Sequence, residues 1–422
     1  MIAPFAAAVI LLVTVVLIVV QPRGVTEARA ALLGAAAMLA LRFVSPTDLL
    51  SVVRDVAGVL LFLLGMMVLT AAVERSGFFE LLATWTARAA RGSGYALFVG
   101  VFLLGAAITV LLSLDVTVLI LTPIVYALVT RLRLNALPYM FVCAFVANTG
   151  SLLLPISNLT NLLVYGLLDI GFGPFARAMV VPQVVALAVN LAIFLVLFRG
   201  RLPWRFERAA VAAPWRAEDR AYLAGAAALL LAVLAALLAA GLRGLPLYPP
   251  ALVGGALAVA LGLARRRLTP RGLAGEVSWG LFPFVIGMFT VIRGVENLWL
   301  PRLGDVATLP VQSLPALLAL AFGTALGANL LNNVPVVAAL IGVLRHVAPP
   351  QQGRLALAVV LGGNLGPTVT PFGSLATLLW LTIVRRKGEE LSTLDYMKVG
   401  ALVAPPVLLA ATVALWAVGR GT

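Results

Sequence analysis

The chain has 422 residues, of which 62% are apolar and only 11% charged, against roughly one quarter charged in an ordinary soluble domain. So few charges cannot coat the surfaces of the two or three soluble domains that this length suggests, so the apolar excess faces a lipid bilayer. The formal charge of +14 would suit nucleic acid or an anionic surface. However, the 30 basic residues, all arginine except Lys387 and Lys398, lie in short clusters between long uncharged runs. That pattern is membrane topology, and nucleic acid is excluded as a partner.

Met1 to Val20 is apolar, with neither a basic leader nor a small-residue cleavage site, and reads as the first span rather than a signal peptide. Ala178 to Phe198, Tyr222 to Leu242 and Val399 to Gly419 also fit the roughly 20 apolar residues of one crossing. Shorter candidates lie at Ala30 to Leu41, Val56 to Val73 and Val277 to Val295, and Pro250 to Ala264 is the weakest.

The overlong intervals are more informative. Val306 to Leu344 runs 39 residues without a charge, about 58 Å as one straight helix, which no bilayer accommodates. It must double back at Asn332-Asn333-Val334-Pro335. Gly92 to Thr130 does the same at Ser113-Leu114-Asp115. Leu134 to Leu168 is interrupted at 148–151 and 155–158, and Leu355 to Val384 at 364–367 and 370–374. The expectation is two re-entrant hairpins and two broken helices.

The order of these features suggests a duplication. Phe62, Gly65, Met66, Val73 and Glu74 recur 222 residues later as Phe284, Gly287, Met288, Val295 and Glu296. Asn148, Gly150 and Pro155 recur 216 residues later as Asn364, Gly366 and Pro371. The expected fold is an all-α polytopic membrane protein of two repeats, residues 1–199 and 221–422, joined by a cytoplasmic basic linker at 200–220. Each repeat holds three helices, a re-entrant hairpin, a broken helix and a final helix. Five crossings per half invert the second copy. With the N-terminus outside, most basic residues fall inside, as the positive-inside rule expects. Inverted repeats with broken helices are a signature of secondary transporters, whose sites lie near the midplane.

Irregular backbone at membrane depth is tolerated only where protein buries it or a cavity adjoins it, so the four breaks should converge on one site. The candidates are Ser113, Asp115, Thr117, Asn148, Thr149, Ser151, Ser157 and Asn158 from the first half. The second half contributes Asn332, Asn333, Asn364, Thr370 and Ser374. Thr160, Asn161, Thr368 and Thr377 adjoin them. Amides and hydroxyls beside helix N-termini suit a small polar solute, neutral or anionic, although the same residue types also cap helices. Asp115 is the one acid that lies both inside a span and at a break, and an intramembrane carboxylate is a functional residue by default. It is the candidate for carrying a coupling proton. Glu74 and Glu296 read as interface or packing residues, His346 as a loop residue outside, and Cys143 as a buried apolar residue. Neither lysine lies in a phosphate-binding loop motif and one histidine cannot build a zinc-protease site, so no cofactor and no enzymatic activity are expected.

Several segments are similar to the arsenite efflux permease family of the ion transporter superfamily. They are 19–24, Ser76-Gly77-Phe78-Phe79-Glu80, Leu119 to Val125, Ser157-Asn158-Leu159 with Asn161, Asn332-Asn333-Val334-Pro335 and, most specifically, Gly373 to Leu381. The resemblance covers nearly the whole chain. It implies export of arsenite and antimonite across the cytoplasmic membrane by proton antiport, in some members with a soluble ATPase partner, and a homodimer is a further expectation. The chain has Leu114 where the best-known pumps have Asn before the acid, Asn148 and Asn364 where they often have Asp, and Thr368 where they have Lys. The less charged pocket still fits arsenous acid, mostly neutral near pH 7. The alternative is a sodium- or proton-coupled carrier of carboxylates or other small anions from the same superfamily, against which an ionised Asp115 would repel the substrate.

Overall fold

The computed structural model describes residues 2–419 apart from Arg23, Asp169, 208–217, 300–312 and Ala348. Residues 208–217 of the basic linker therefore lie outside the described residues. The described residues are helical throughout, with no strand, and eight of the helices are long and apolar enough to cross a membrane.

The first half comprises α1 (Ile2–Val20), α2 (Glu27–Ala40), α3 (Pro46–Glu74), α4 (Phe78–Ala89), α5 (Gly94–Leu111), α6 (Leu114–Arg131), α7 (Ala136–Thr149), α8 (Leu159–Leu167) and α9 (Phe172–Leu197). The second comprises α10 (Arg220–Leu242), α11 (Tyr248–Ala264), α12 (Pro270–Glu276), α13 (Leu281–Trp299), α14 (Leu314–Leu331), α15 (Asn333–Leu344), α16 (Pro349–Leu365), α17 (Leu375–Arg386) and α18 (Thr393–Val418). The overlong intervals turn where the sequence breaks: α5 and α6 meet at Leu112–Ser113, and α14 and α15 at Asn332. Asn332 takes φ 71° and ψ 149°, a positive-φ conformation outside the left-handed helical well that a residue other than glycine adopts only where its surroundings enforce it. Two helices are additional to the sequence reading. In α4, Phe79, Ala83 and Ala87 fall at i, i+4, i+8 and are buried, while Arg88 near its C-terminus is exposed. A search for spans passes over so short an amphipathic helix. The other is α12, a single capped stretch begun by Pro270 after the N-cap Thr269.

Inside a bilayer, apolar burial against lipid gains little, so close backbone packing through small residues drives helix association. The longest contacts here follow that rule and cross between the halves: α3 lies along α11, and α13 along α2. At the first crossing Gly65 touches the backbone of Ala251 and Leu252. A Cβ on Gly65 would stand 2.6 Å from the Leu252 nitrogen. At the second, a Cβ on Gly287 would stand 2.7 Å from the Ala31 carbonyl carbon. These are the two glycines related by the 222-residue offset. The hairpins and broken helices pack beside this four-helix unit, α5 against α7 and α14 against α16, while α9 and α18 pair with each other.

Glu296 sits at a junction of α13, α3 and α15. Its carboxylate lies 3.6 Å from Arg293, and Arg293 and Arg345 reach Asp55 at 3.5 and 3.4 Å. These groups border a cavity of about 10 Å³ whose wall includes Gly342. His346 is exposed in the following turn, and Cys143 is buried.

Candidate functional site

Both helix breaks are short irregular segments with 3-10 turns, Pro155–Ser157 in the first and Gly366–Thr368 and Pro371–Gly373 in the second. Proline cannot continue an α-helix ladder and restricts the residue before it to extended backbone. Accordingly, Leu154 and Thr370 are extended ahead of Pro155 and Pro371. Asn158 caps α8 by accepting from the Thr160 amide at 3.2 Å. Its counterpart Ser374 precedes α17 without a side-chain cap bond.

The freed backbone groups are satisfied by amides from elsewhere. Gln183 of α9 donates to the Thr149 carbonyl at 2.6 Å and accepts from the Leu152 and Leu153 amides at 2.9 and 3.1 Å. In the second break the same work falls to Asn329 of α14. It donates to the Gly366 carbonyl at 2.7 Å and accepts from the Thr370 amide and hydroxyl at 2.9 and 3.0 Å. Neither residue stands out in the sequence, because one amide inside an apolar helix makes no pattern. Gln183 follows Pro182 and Asn329 lies three residues before the hairpin tip, and those positions are the only available signals.

The two breaks meet at Asn364. Its side-chain oxygen accepts from Asn158 at 3.0 Å and from the Thr160 hydroxyl at 2.6 Å, and its amide donates to Asn161 Oδ1 at 2.7 Å and the Ser151 carbonyl at 3.4 Å. Asn161 in turn donates to the Ser151 and Leu154 carbonyls. Asn364 thereby fills both acceptor and both donor positions of its side chain and ties the second break to the first. Asn148, its partner at the 216-residue offset, is used differently. It donates to the Ala144 carbonyl at 3.1 Å, while its Oδ1 is buried without a partner.

The other candidates divide by role. Ser113 caps α6 by accepting from the Val116 amide, and Asn332 caps α15 by accepting from Val334. Ser157 donates to the Val110 carbonyl at 2.8 Å, joining the first break to α5. Ser151 donates to the Asn148 carbonyl, Thr149 to that of Phe145, and Thr370 to that of Asn329. Thr117 pairs with the Thr109 hydroxyl at 2.7 Å. It begins a π-turn, Thr117–Leu121, ahead of Pro123, whose missing N–H and ring disturb the ladder just upstream; such turns are frequent at functional sites. Asn333 and Ser374 are buried and make no side-chain hydrogen bond among the described residues. Asp115 lies in the first turn of α6, where the helix dipole favours an anion. Its carboxylate is partly exposed and has no hydrogen-bond or ion partner among the described residues. The structure therefore joins Ser151, Asn158, Thr160, Asn161 and Asn364 into one network; Asp115 remains outside it. Among the described residues no group of three or more His, Cys, Asp or Glu side chains could hold a metal ion.

Asn364→Ala should be costly. It strands Asn158, Thr160 and Asn161 in a buried site, at about 1–3 kcal/mol for each buried group left unsatisfied. A melting curve of the purified variant should shift to markedly lower temperature, and an unchanged midpoint would refute the network's contribution.

Comparison with known proteins agrees with this architecture. The profile described as arsenical pump membrane protein matches residues 6–418. The arsenical pump membrane protein of Escherichia coli K12 is 31% identical over 420 residues, 97% of each chain. Its namesake in Yersinia enterocolitica is 30% identical over 419 residues, 96% of this chain and 97% of that one. Among solved structures, the YdaH transporter of Alcanivorax borkumensis, reported to have an unusual topology, superposes with a TM-score of 0.62 over 90% of both chains at 15% identity. That likeness shows the fold alone, whereas the near full-length sequence matches show descent: the chain belongs to the arsenical pump membrane protein family.

Proposed function

We propose that this chain, a multi-pass protein of the bacterial inner membrane and an arsenical efflux transporter, exports arsenite and antimonite by proton antiport. The observation that carries the reading is the company Asp115 keeps. Around the two helix breaks the polar side chains are neutral amides and hydroxyls, which suit an uncharged hydroxylated solute such as arsenous acid. Asp115, without an ion partner among the described residues, is free to take up and release a proton. In this reading Asn148, Thr149, Ser151, Asn158, Asn333, Thr370 and Ser374 surround the solute, and Ser113, Thr117, Asn332 and Asn364 hold the backbone that presents them.

We also read residues 1–199 and 221–422 as inverted copies. The reciprocal pairing of α3 with α11 and of α13 with α2, with Gly65 and Gly287 at equivalent crossings, supports that division.

Everted vesicles containing the chain should accumulate radiolabelled arsenite when a proton gradient is imposed, without ATP. Succinate uptake under a sodium gradient in place of arsenite uptake would overturn the substrate and coupling assignments together.

A further inference from the structure

Of the seven buried polar side-chain atoms that lack a hydrogen-bond partner among the described residues, five belong to residues on α7 or on the helices packed against it: Asn148, Thr377, Trp380, Tyr396 and Asn190, whose amide donates to Thr149. On α7, positions 141, 145 and 148 share a face by the i, i+4, i+7 rule. Trp380 of α17 packs on Phe141 with ring centroids 5.8 Å apart, and Tyr396 of α18 packs on Phe145 at 5.6 Å and on Trp380 at 5.5 Å. Thr377 lies one turn before Trp380, with its hydroxyl beside that of Tyr396. Asn148 ends the α7 face one turn beyond Phe145, two residues from Gly150. Four of these atoms are Trp380 Nε1, Asn148 Oδ1 and the mutually facing hydroxyls of Tyr396 and Thr377, and all four residues are 2% exposed or less.

Native proteins rarely leave such groups unsatisfied, and each instance calls for a ligand, an ordered water or a functional role. The four atoms are chemically complementary to one kind of occupant. Trp380 only donates, Asn148 Oδ1 only accepts, and the two hydroxyls do either. A cation would be repelled by the indole N–H, and an anion by the amide oxygen. Water and a neutral molecule bearing several hydroxyl groups match the whole set. The contrast with Asn364, whose side chain is fully bonded within the protein, places the open valence on the first-half asparagine alone.

We propose that Trp380, Tyr396, Thr377 and Asn148 form a binding site for small neutral hydroxylated molecules beside α7. Ordered water fills it in the resting protein, and the hydroxyl groups of the transported solute replace that water during passage. The second statement rests on the arsenical reading; the first does not.

Radiolytic hydroxyl-radical labelling of the intact chain in nanodiscs tests both, because it oxidises buried side chains that touch bound water. Tyr396 should be oxidised several-fold faster than Tyr139 and Tyr222, which are equally buried but donate their hydroxyls to the Gly94 and Ala72 carbonyls. Thr377→Val should slow labelling of Tyr396, and Tyr396→Phe should lower the melting temperature by removing a bonded group. Labelling of Tyr396 no faster than the two controls, or a melting temperature raised by Tyr396→Phe, would overturn the site. Protection of Tyr396 by arsenite supports entry of the solute itself. Water labelling without protection by arsenite overturns that second statement and leaves the water site standing.

Discussion

Cells that depend on this chain for arsenite export should become as sensitive as cells without it when Asp115 is replaced by Asn, although the variant still folds and reaches the membrane. The substitution keeps the size of the side chain and its ability to hydrogen-bond, and removes only the charge and the exchangeable proton. Because the Asp115 carboxylate has no hydrogen-bond or ion partner among the described residues, no contact is broken and no buried group is stranded. A residue that held the fold would behave in the opposite way, losing stability and function together. Vesicle uptake driven by the proton gradient should fall at least about 10-fold, equivalent to about 1.4 kcal/mol on the barrier, because the amide cannot take up and release the coupling proton. Asp115→Glu, which restores a carboxylate one methylene further out, should recover part of the rate. Equal arsenite resistance in wild type and Asp115→Asn at matched expression would remove the residue from the mechanism.

The largest structural effect should come from Gly65→Leu. At this crossing the neighbours of the new side chain are backbone atoms of Ala251 and Leu252, which cannot rotate away as a side-chain tip can. Inserting even single methylenes into a well-packed core costs about 1–3 kcal/mol, and forcing α3 from α11 should exceed that. The variant is expected to be lost from the membrane fraction or to elute as an aggregate in detergent. Gly287→Leu should do the same through Ala31. The control is Gly323→Leu, on an exposed face of α14 where a Cβ meets nothing within 4 Å, and it should be tolerated. Monodisperse, active Gly65→Leu protein would refute the close packing.

The sequence is legible where a physical limit is exceeded. A 39-residue uncharged interval cannot be one span, so the turn at Asn332 follows from length and from Asn-Asn-Val-Pro together; the break at Pro155 follows from proline chemistry. The resemblance to arsenite permeases, carried most specifically by Gly373 to Leu381, anticipated the family. What could not be read is which of two equivalent residues does which task. Asn148 and Asn364 stand at equivalent places in two similar segments, yet one is saturated by Asn158, Thr160, Asn161 and Ser151 and the other keeps an open oxygen. That difference arises because Asn158, Thr160 and Asn161 face Asn364, whereas their counterparts at the same offset, Ser374, Ala376 and Thr377, include no amide. Gln183 and Asn329 were invisible for another reason: apart from the Thr370 hydroxyl, their partners named above are backbone groups, which leave no trace in side-chain identity. Similarly, α4 is amphipathic without being long, and composition averaged over a span conceals it.

Asn329 constrains how the second hairpin can move. Three bonds join it to Gly366 and Thr370, so α14 and the break behind it translate as one piece. The other arm, α15, packs against α8, α13 and α16 as well as α14, and the turn after it carries the Arg345–Asp55 contact, so both arms of the hairpin are anchored to the second break or to the four-helix unit.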